Sequence, residues 1–260
     1  MKWIDLLKSL QAKREESLRL LQGFVEMESF SYDKAGVDRL GNHLVDVFSS
    51  FPVRADILTE ETFGNHLRFQ LGKGEKQLLL ISHLDTVYPS GTLDKMPFQV
   101  DGKQAKGPGV IDIKGSYVMV YRLFELLRHV DLKDYQIVWL LTSDEEVGSP
   151  TGRHVVKKEA AKSEVVLVLE PATDGGALKT ARKGGGKFTL EVKGISAHAG
   201  LNPLDGANAI EELAYQIMNI VPLADHSKGT TLNTGEISGG DLFNVVPRSE
   251  ERRVGKECER

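Results

Sequence analysis

Three short runs are apolar almost without interruption: LLLIS at 78–82, QIVWLLT at 136–142 and VVLVL at 165–169. Runs this short and this uniform suggest strands covered on both faces. Helical periodicity fills the spaces around them. Residues 115–129 set Val118, Tyr121, Leu123, Leu126 and Leu127 among polar positions, and 149–161 read as a polar helix that Ser149 or Thr151 could cap. Before the first run, Leu6, Leu7, Leu10, Leu18, Leu21 and Val25 fall roughly on one stripe of a helical segment. Val37, Leu40, Leu44 and Phe48 mark the buried side of a second helix over about 34–50, which Pro52 stops. Residues 66–72 alternate, with Leu67, Phe69 and Leu71 on one face, and Gly72-Lys73-Gly74 makes a turn. Buried strands alternating with helices predict an α/β sandwich with a largely parallel sheet.

The pattern changes after about Ala177. Residues 187–193 (KFTLEVK) alternate with period two, a helix is expected from about 206 to 221, and 230–238 alternate again. This predicts a second, smaller α+β unit.

Bulk properties remove several functions. A formal net charge of -4 with 27% charged residues offers no basic face for nucleic acid and no polybasic membrane anchor. Cys258 is the single cysteine, so no disulfide framework forms within this chain. The first residues, MKWIDLLKSLQAKREESLRLL, mix charges with leucines, lack the apolar core of a signal peptide, and no apolar run is long enough for a bilayer. The expectation is a cytoplasmic protein without a membrane partner.

In open α/β sheets, sites form at the carboxyl ends of the strands. His83 follows LLLIS, Asp144, Glu145 and Glu146 follow QIVWLLT, and Glu170 follows VVLVL. Asp85, two residues after His83 on an extended backbone, can accept the second ring N–H of the imidazole and leave the other nitrogen for a metal. Asp112 lies in GPGVIDIKG just before a helix, where a carboxylate either caps the helix or bridges two metal ions. Three consecutive acids at a buried strand end repel one another unless cations are present. Adjacent carboxylates can divide labour, one binding metal and the other taking a proton from a metal-activated water. His198, in SAHAG, sits in a loop of the second unit, where a histidine is usually just solvated. Each motif alone has a bland alternative: a strand-end histidine, a helix cap, an acidic surface. Together they supply mixed nitrogen and oxygen donors suited to zinc, and also to cobalt or manganese.

The segments ISHLDTVY, GPGVIDIKG, TSDEEVGS, LEP, KGISAHAG and NVVP occur in that order between about Leu6 and Pro247. This set resembles the co-catalytic zinc peptidases that include glutamate carboxypeptidase, aminoacylase and acetylornithine deacetylase. The filler DTVYPSGTLDKMPFQVDG is most similar to the glutamate carboxypeptidase branch. The resemblance implies a zinc-aminopeptidase-like three-layer catalytic domain, residues 1–177, and a ferredoxin-like lid and dimerisation domain, residues 178–247, both incomplete. It implies that His83 and Glu170 bind one zinc, Glu146 the other, and Asp112 both. Glu145 would be the general base, passing its proton to the leaving amine, and Asp85 would orient His83. The peptide after Asp112 would be cis. His198 would reach a partner subunit's site to stabilise an oxyanion, and Asn244 would help bind substrate. The implied reaction is release of a C-terminal amino acid, with glutamate as one option, from a small peptide, or removal of an N-acyl group from an amino acid.

The pattern departs after Pro247. Members of the resembled family continue with an alternating lid strand, a substrate-binding arginine and a last ligand histidine. Residues 248–260 (RSEERRVGKECER) have almost no apolar side chains, read as an atypical charged tail, and none of Arg248, Arg252 and Arg253 is given the carboxylate-binding role. The second zinc would then hold only Asp112 and Glu146 from this chain, which keeps a non-catalytic binding or scaffold role in play.

Overall fold

A computed structural model describes residues 3–240 and 242–256, with side chains for 7–173, 175–240 and 242–248. Cys258 lies outside the described residues. The chain folds as two compact units, Met1–Pro171 and Ala172–Arg260.

The first unit opens with α1 (Trp3–Ala12) and α2 (Arg14–Val25), followed by α3 (Lys34–Phe48). The sequence stripe ran through Lys13 as one helix, whereas the backbone breaks there. Asp33 caps α3 by accepting the Gly36 amide at 3.0 Å. Strands β1 (Val53–Leu58), β2 (His66–Gly72) and β3 (Lys76–His83) follow. A short hairpin of β4 (Gln99–Asp101) and β5 (Gln104–Lys106) then precedes α4 (Gly115–Leu127). The unit closes with β6 (Tyr135–Thr142), α5 (Gly152–Ala160) and β7 (Ser163–Val168).

The sheet order is β1-β2-β6-β3-β7. β3 pairs in parallel with β6 and β7, while β2 is antiparallel to both β1 and β6. Four of the five strands therefore run the same way, and β2 alone opposes them. The period-two pattern of β6 divides its side chains between two layers. Ile137, Trp139 and Leu141 join the larger core with Phe24, Leu40, Phe48, Tyr117 and Phe124 from α2, α3 and α4. Val138 and Leu140, with Leu79 of β3, face Val155, Val156 and Ala160 of α5. Helices thus cover both faces, the three-layer arrangement expected.

Two expectations need correction here. VVLVL was read as a buried strand, but Val165, Leu167 and Val168 of β7 are exposed. An apolar run shows strand propensity, not position, and β7 is the outer strand, with β3 as its one neighbour among the described residues. The cap of α5 was assigned to Ser149 or Thr151, yet neither side chain caps it. The Asp144 carboxylate does so, accepting the Thr151 amide at 2.6 Å and the Gly152 amide at 3.0 Å.

The second unit contains β8 (Gly186–Lys193), α6 (Ala209–Ile220), β9 (Asn233–Gly239) and β10 (Ser249–Lys256). Asn208 caps α6 through the Ile210 and Glu211 amides. The sheet order is β8-β10-β9, antiparallel throughout, with α6 packed on β8 and β10. Residues 249–256 of the charged stretch read as a tail are therefore the central strand: their backbone pairs on both edges, a ladder that apolar content does not report.

Candidate metal centre

The carboxyl ends of β3, β6 and β7 carry the acidic and imidazole groups. His83 ends β3 and is buried. Its Nδ1 lies 2.9 Å from the Asp85 main-chain carbonyl, which can only accept, so Nδ1 bears the hydrogen. Nε2 then points at Asp112 Oδ1, 2.9 Å away, and at Glu170 Oε1, 3.5 Å away. One donor atom from each of His83, Asp112 and Glu170 lies within 4.8 Å of the others. Asp112 and Glu170 stay partly open to solvent, and Asp112 adopts φ −118° and ψ 89° between the preceding turn and α4. The Asp112–Ile113 peptide is cis, as the resemblance implied.

Asp85 is fully buried and does more than face His83. Its Oδ1 is 3.5 Å from His83 Nδ1, a longer contact than the main-chain bond. The two carboxylate oxygens accept the amides of Glu145 and Glu146, each at 3.1 Å, and the Ser31 hydroxyl at 2.8 Å. Asp85 thus fixes the turn Glu145–Val147 from the β3 side. Glu145 is exposed at that turn and Glu146 half-buried. Glu146 is not among the three clustered residues, although the charges of His83 and Asp112 act on its carboxyl. Asp144, read with its neighbours as one acidic group, turns inward to α5 instead.

Charge in this cluster is tightly coupled. Burial alone would lower the His83 imidazole, but hydrogen bonds to Asp112 and Asp85 and the Glu170 charge raise it to about 11. Burial, then the charges of Asp112, Glu145 and Asp85, push the Glu146 carboxyl up to about 7, against the opposing pull of His83. Without a metal, a proton on His83 thus neutralises part of the acid cluster. A divalent cation can take that place, and the donor set fits one: a neutral imidazole nitrogen with its tautomer fixed, plus carboxylate oxygens.

Several supporting groups carried no sequence signal. Tyr117, buried, donates its hydroxyl to the His83 carbonyl at 2.5 Å, and burial raises its phenol well above the ordinary range. Lys114 is buried and donates to the Met27 carbonyl at 2.7 Å, and burial lowers it to about 8. His66, read only as the start of a strand, contacts the segment that carries Glu145 and Glu146. An isolated histidine at a strand start gives no hint of such contacts.

In the second unit, His198 is exposed and Nδ1 accepts the Gly200 and Leu201 amides at 3.1 and 3.2 Å. Its Nε2–H is thereby the free donor. The adjoining Ala199 amide donates to the Asn244 carbonyl at 2.9 Å, and His198 bridges to Val245. His198 and Asn244 therefore lie on paired loops.

Residues 180–251 match the peptidase dimerisation domain of the M20 family. Carboxypeptidase G2 of a Pseudomonas species is 31% identical over 237 residues, covering 89% of this chain and 57% of that protein. Acetylornithine deacetylase of Vibrio vulnificus is 30% identical over 252 residues, covering 88% and 64%. An M20 family metallo-carboxypeptidase of Sulfolobus solfataricus shares the fold, with a TM-score of 0.67 at 16% identity over 94% of this chain and 71% of that one. The chain thus carries the dimerisation domain of M20 peptidases and is similar to these relatives along most of its length. It spans less than two thirds of the length of the two relatives it matches in sequence.

Proposed function

We propose that this chain carries the metal-binding face of a zinc-dependent metallo-carboxypeptidase that releases a C-terminal amino acid, glutamate among the options. The observation that carries the reading is the convergence of His83 Nε2, Asp112 and Glu170 beside a turn, held by Asp85, that presents Glu145 and Glu146. His83 and Glu170 would hold one ion, Glu146 would hold a second, and Asp112 would serve both. Zinc suits these donors, with cobalt or manganese as substitutes. A bound ion supplies Lewis acidity that makes water nucleophilic near neutral pH. Glu145 takes the proton of the attacking water and returns it to the leaving amine nitrogen. Asp85 keeps His83 oriented and the Glu145 turn fixed. The outward Nε2–H of His198 supplies a hydrogen bond to the developing oxyanion in a partner subunit, and Asn244 contacts substrate. This assigns residues 1–177 to catalysis and 178–247 to the lid and homodimer contact, with β10 as the middle strand of the lid sheet. No helix among the described residues is long and apolar enough to cross a membrane. A cytoplasmic location accords with the chain's single cysteine.

Removal of an N-acyl group is the second reading, favoured by the 30% identity to an acetylornithine deacetylase. The two differ in the substrate pocket and share the same chemistry. The test is turnover of peptidyl and N-acyl glutamates, and of N-acetyl amines, by a form spanning the relatives' length with zinc or cobalt. Release of C-terminal glutamate is expected. Turnover of acyl substrates alone selects the deacylase, and turnover of neither class leaves a binding or scaffold protein.

Metal binding must also displace protons. His83, raised to about 11, is protonated at pH 7 without metal, and Glu146, at about 7, is half protonated. Calorimetry in buffers of different ionisation enthalpy should find at least one proton released on zinc binding at pH 7, with affinity rising from pH 5 to 8. Affinity independent of pH over that range would contradict His83 as a ligand. For the metal-free fold the sign is opposite. The raised His83 value contributes stability that is full below its unfolded pKa and is lost as pH climbs toward 11.

A further inference from the structure

We propose that His66 is a positioning residue for Glu146, clamping the Glu145–Val147 turn from the β2 side as Asp85 clamps it from the β3 side; the inference rests on the metal-site reading above. His66 is 3% exposed. The Ser143 backbone amide, which can only donate, lies 3.1 Å from its Nδ1. Nδ1 is therefore unprotonated and Nε2 bears the hydrogen, donated to Thr151 Oγ1 at 3.1 Å. Thr151 passes its own hydrogen to Asp144 Oδ2 at 2.8 Å. Every donor in this chain of bonds has one direction open to it.

The chemistry of the loop follows from that directionality. Ser143 and Asp144 start the segment that leaves β6, and Thr151 ends it. Asp144 ties the two ends together through the Thr151 and Gly152 amides, and its own carbonyl accepts the Ser149 amide at 2.8 Å. The Ser143 hydroxyl donates to the Gly64 carbonyl and lies 3.0 Å from His66 Nδ1. His66 touches both ends of this ring. Burial keeps the imidazole below its ordinary pKa, in the neutral form these bonds require. Residues behind metal ligands commonly contribute about 10–100-fold to affinity by fixing ligand geometry. The ring leaves Glu145 and Glu146 as its projecting part, so a shift of Ser143 moves Glu146.

The test is a Co2+ titration of the chain against a chelating indicator, with the Glu146-dependent step identified by its loss in Glu146→Gln. His66→Leu removes both hydrogen bonds and should weaken that step about tenfold or more. His66→Asn, whose Oδ1 can accept the Ser143 amide, should recover most of the loss. Equal weakening in both variants would overturn the inference, since loss of packing and not the Nδ1 bond would be the cause. Unchanged affinity in folded His66→Leu would overturn it too. If His66→Leu does not fold, Thr151→Val carries the test: a several-fold loss is expected, and no loss overturns the inference. In the unaltered chain, imidazole 15N shifts should show His66 unprotonated at Nδ1 and protonated at Nε2; the other tautomer contradicts the clamp. If Glu146→Gln itself changes no step, the metal reading fails and takes this inference with it. If Glu146→Gln weakens binding and the His66 and Thr151 variants do not, only the inference fails.

Discussion

Glu145→Gln, assayed in a form that spans the relatives' full length, should lower hydrolysis by about 10²–10⁴-fold while leaving bound zinc in place. The amide keeps the shape of the side chain and loses its basicity. The turn itself should persist, because the Glu145 main-chain amide, not its carboxylate, bonds Asp85. The neighbouring carboxyl of Glu146 cannot replace the base, since in the proposed site it is occupied as a ligand. Two measurements together decide the point: metal content after dialysis and the hydrolytic rate. Retained metal with an unchanged rate would remove Glu145 from the role of base. Lost metal would show that Glu145 is a ligand and that the two adjacent acids have been assigned the wrong way round. A pure binding protein predicts no rate to lose in the parent form.

Phe48→Ala should destabilise the first unit by about 3–5 kcal/mol. Phe48 closes α3 with no exposed surface. Its ring meets those of Phe51, Phe69, Tyr121, Phe124 and Trp139, with centroids 4.8 to 5.8 Å away. α3, α4 and the sheet all contribute to that cluster, so no single neighbour can move in to fill the space. The same core includes Leu84 and Ile113, which follow His83 and Asp112 in the chain, and Tyr117, whose hydroxyl donates to the His83 carbonyl. Urea denaturation of the chain would measure the loss. Met119→Ala, at a position 63% exposed on α4, should stay within about 0.5 kcal/mol and serves as the control. A Phe48→Ala loss no larger than the control would mean that the core is not packed as described.

What could be read from sequence follows from range of interaction. β3 and β6 were legible because both faces are covered, which leaves unbroken apolar runs at 78–81 and 137–141. The same logic misplaced β7, since an apolar run at a sheet edge looks identical to one at its centre. β1 (VRADIL) passed unnoticed, its charged alternate residues concealing a strand that pairs with β2 alone. β10 was missed for a related reason: its residues are charged, and its place comes from backbone pairing. At the site, His83, Asp112, Glu146 and Glu170 were legible as strand-end or pre-helix polar residues, a local signal. Asp85 was legible as a partner of His83, but not as the acceptor of two amides sixty residues away. The His66 contacts span 77 and 85 residues and have no local signature at all.

The reversed direction of β2 has a consequence for how this rim of the sheet is built. Along β3, β6 and β7, the residues of the candidate site stand at or just beyond the end of a strand: His83 closes β3, the Glu145–Val147 turn follows β6, and Glu170 follows β7. His66 is the first residue of its strand, delivered to the same rim because the strand runs backwards. It pairs with Leu58 of β1 and stands just outside the ladder with β6, which begins at Leu67. A change at position 66 therefore need not disturb the register of β6. One antiparallel strand gives an otherwise parallel sheet a place where the support of the acidic turn can be retuned without rebuilding the strands that carry the proposed metal ligands.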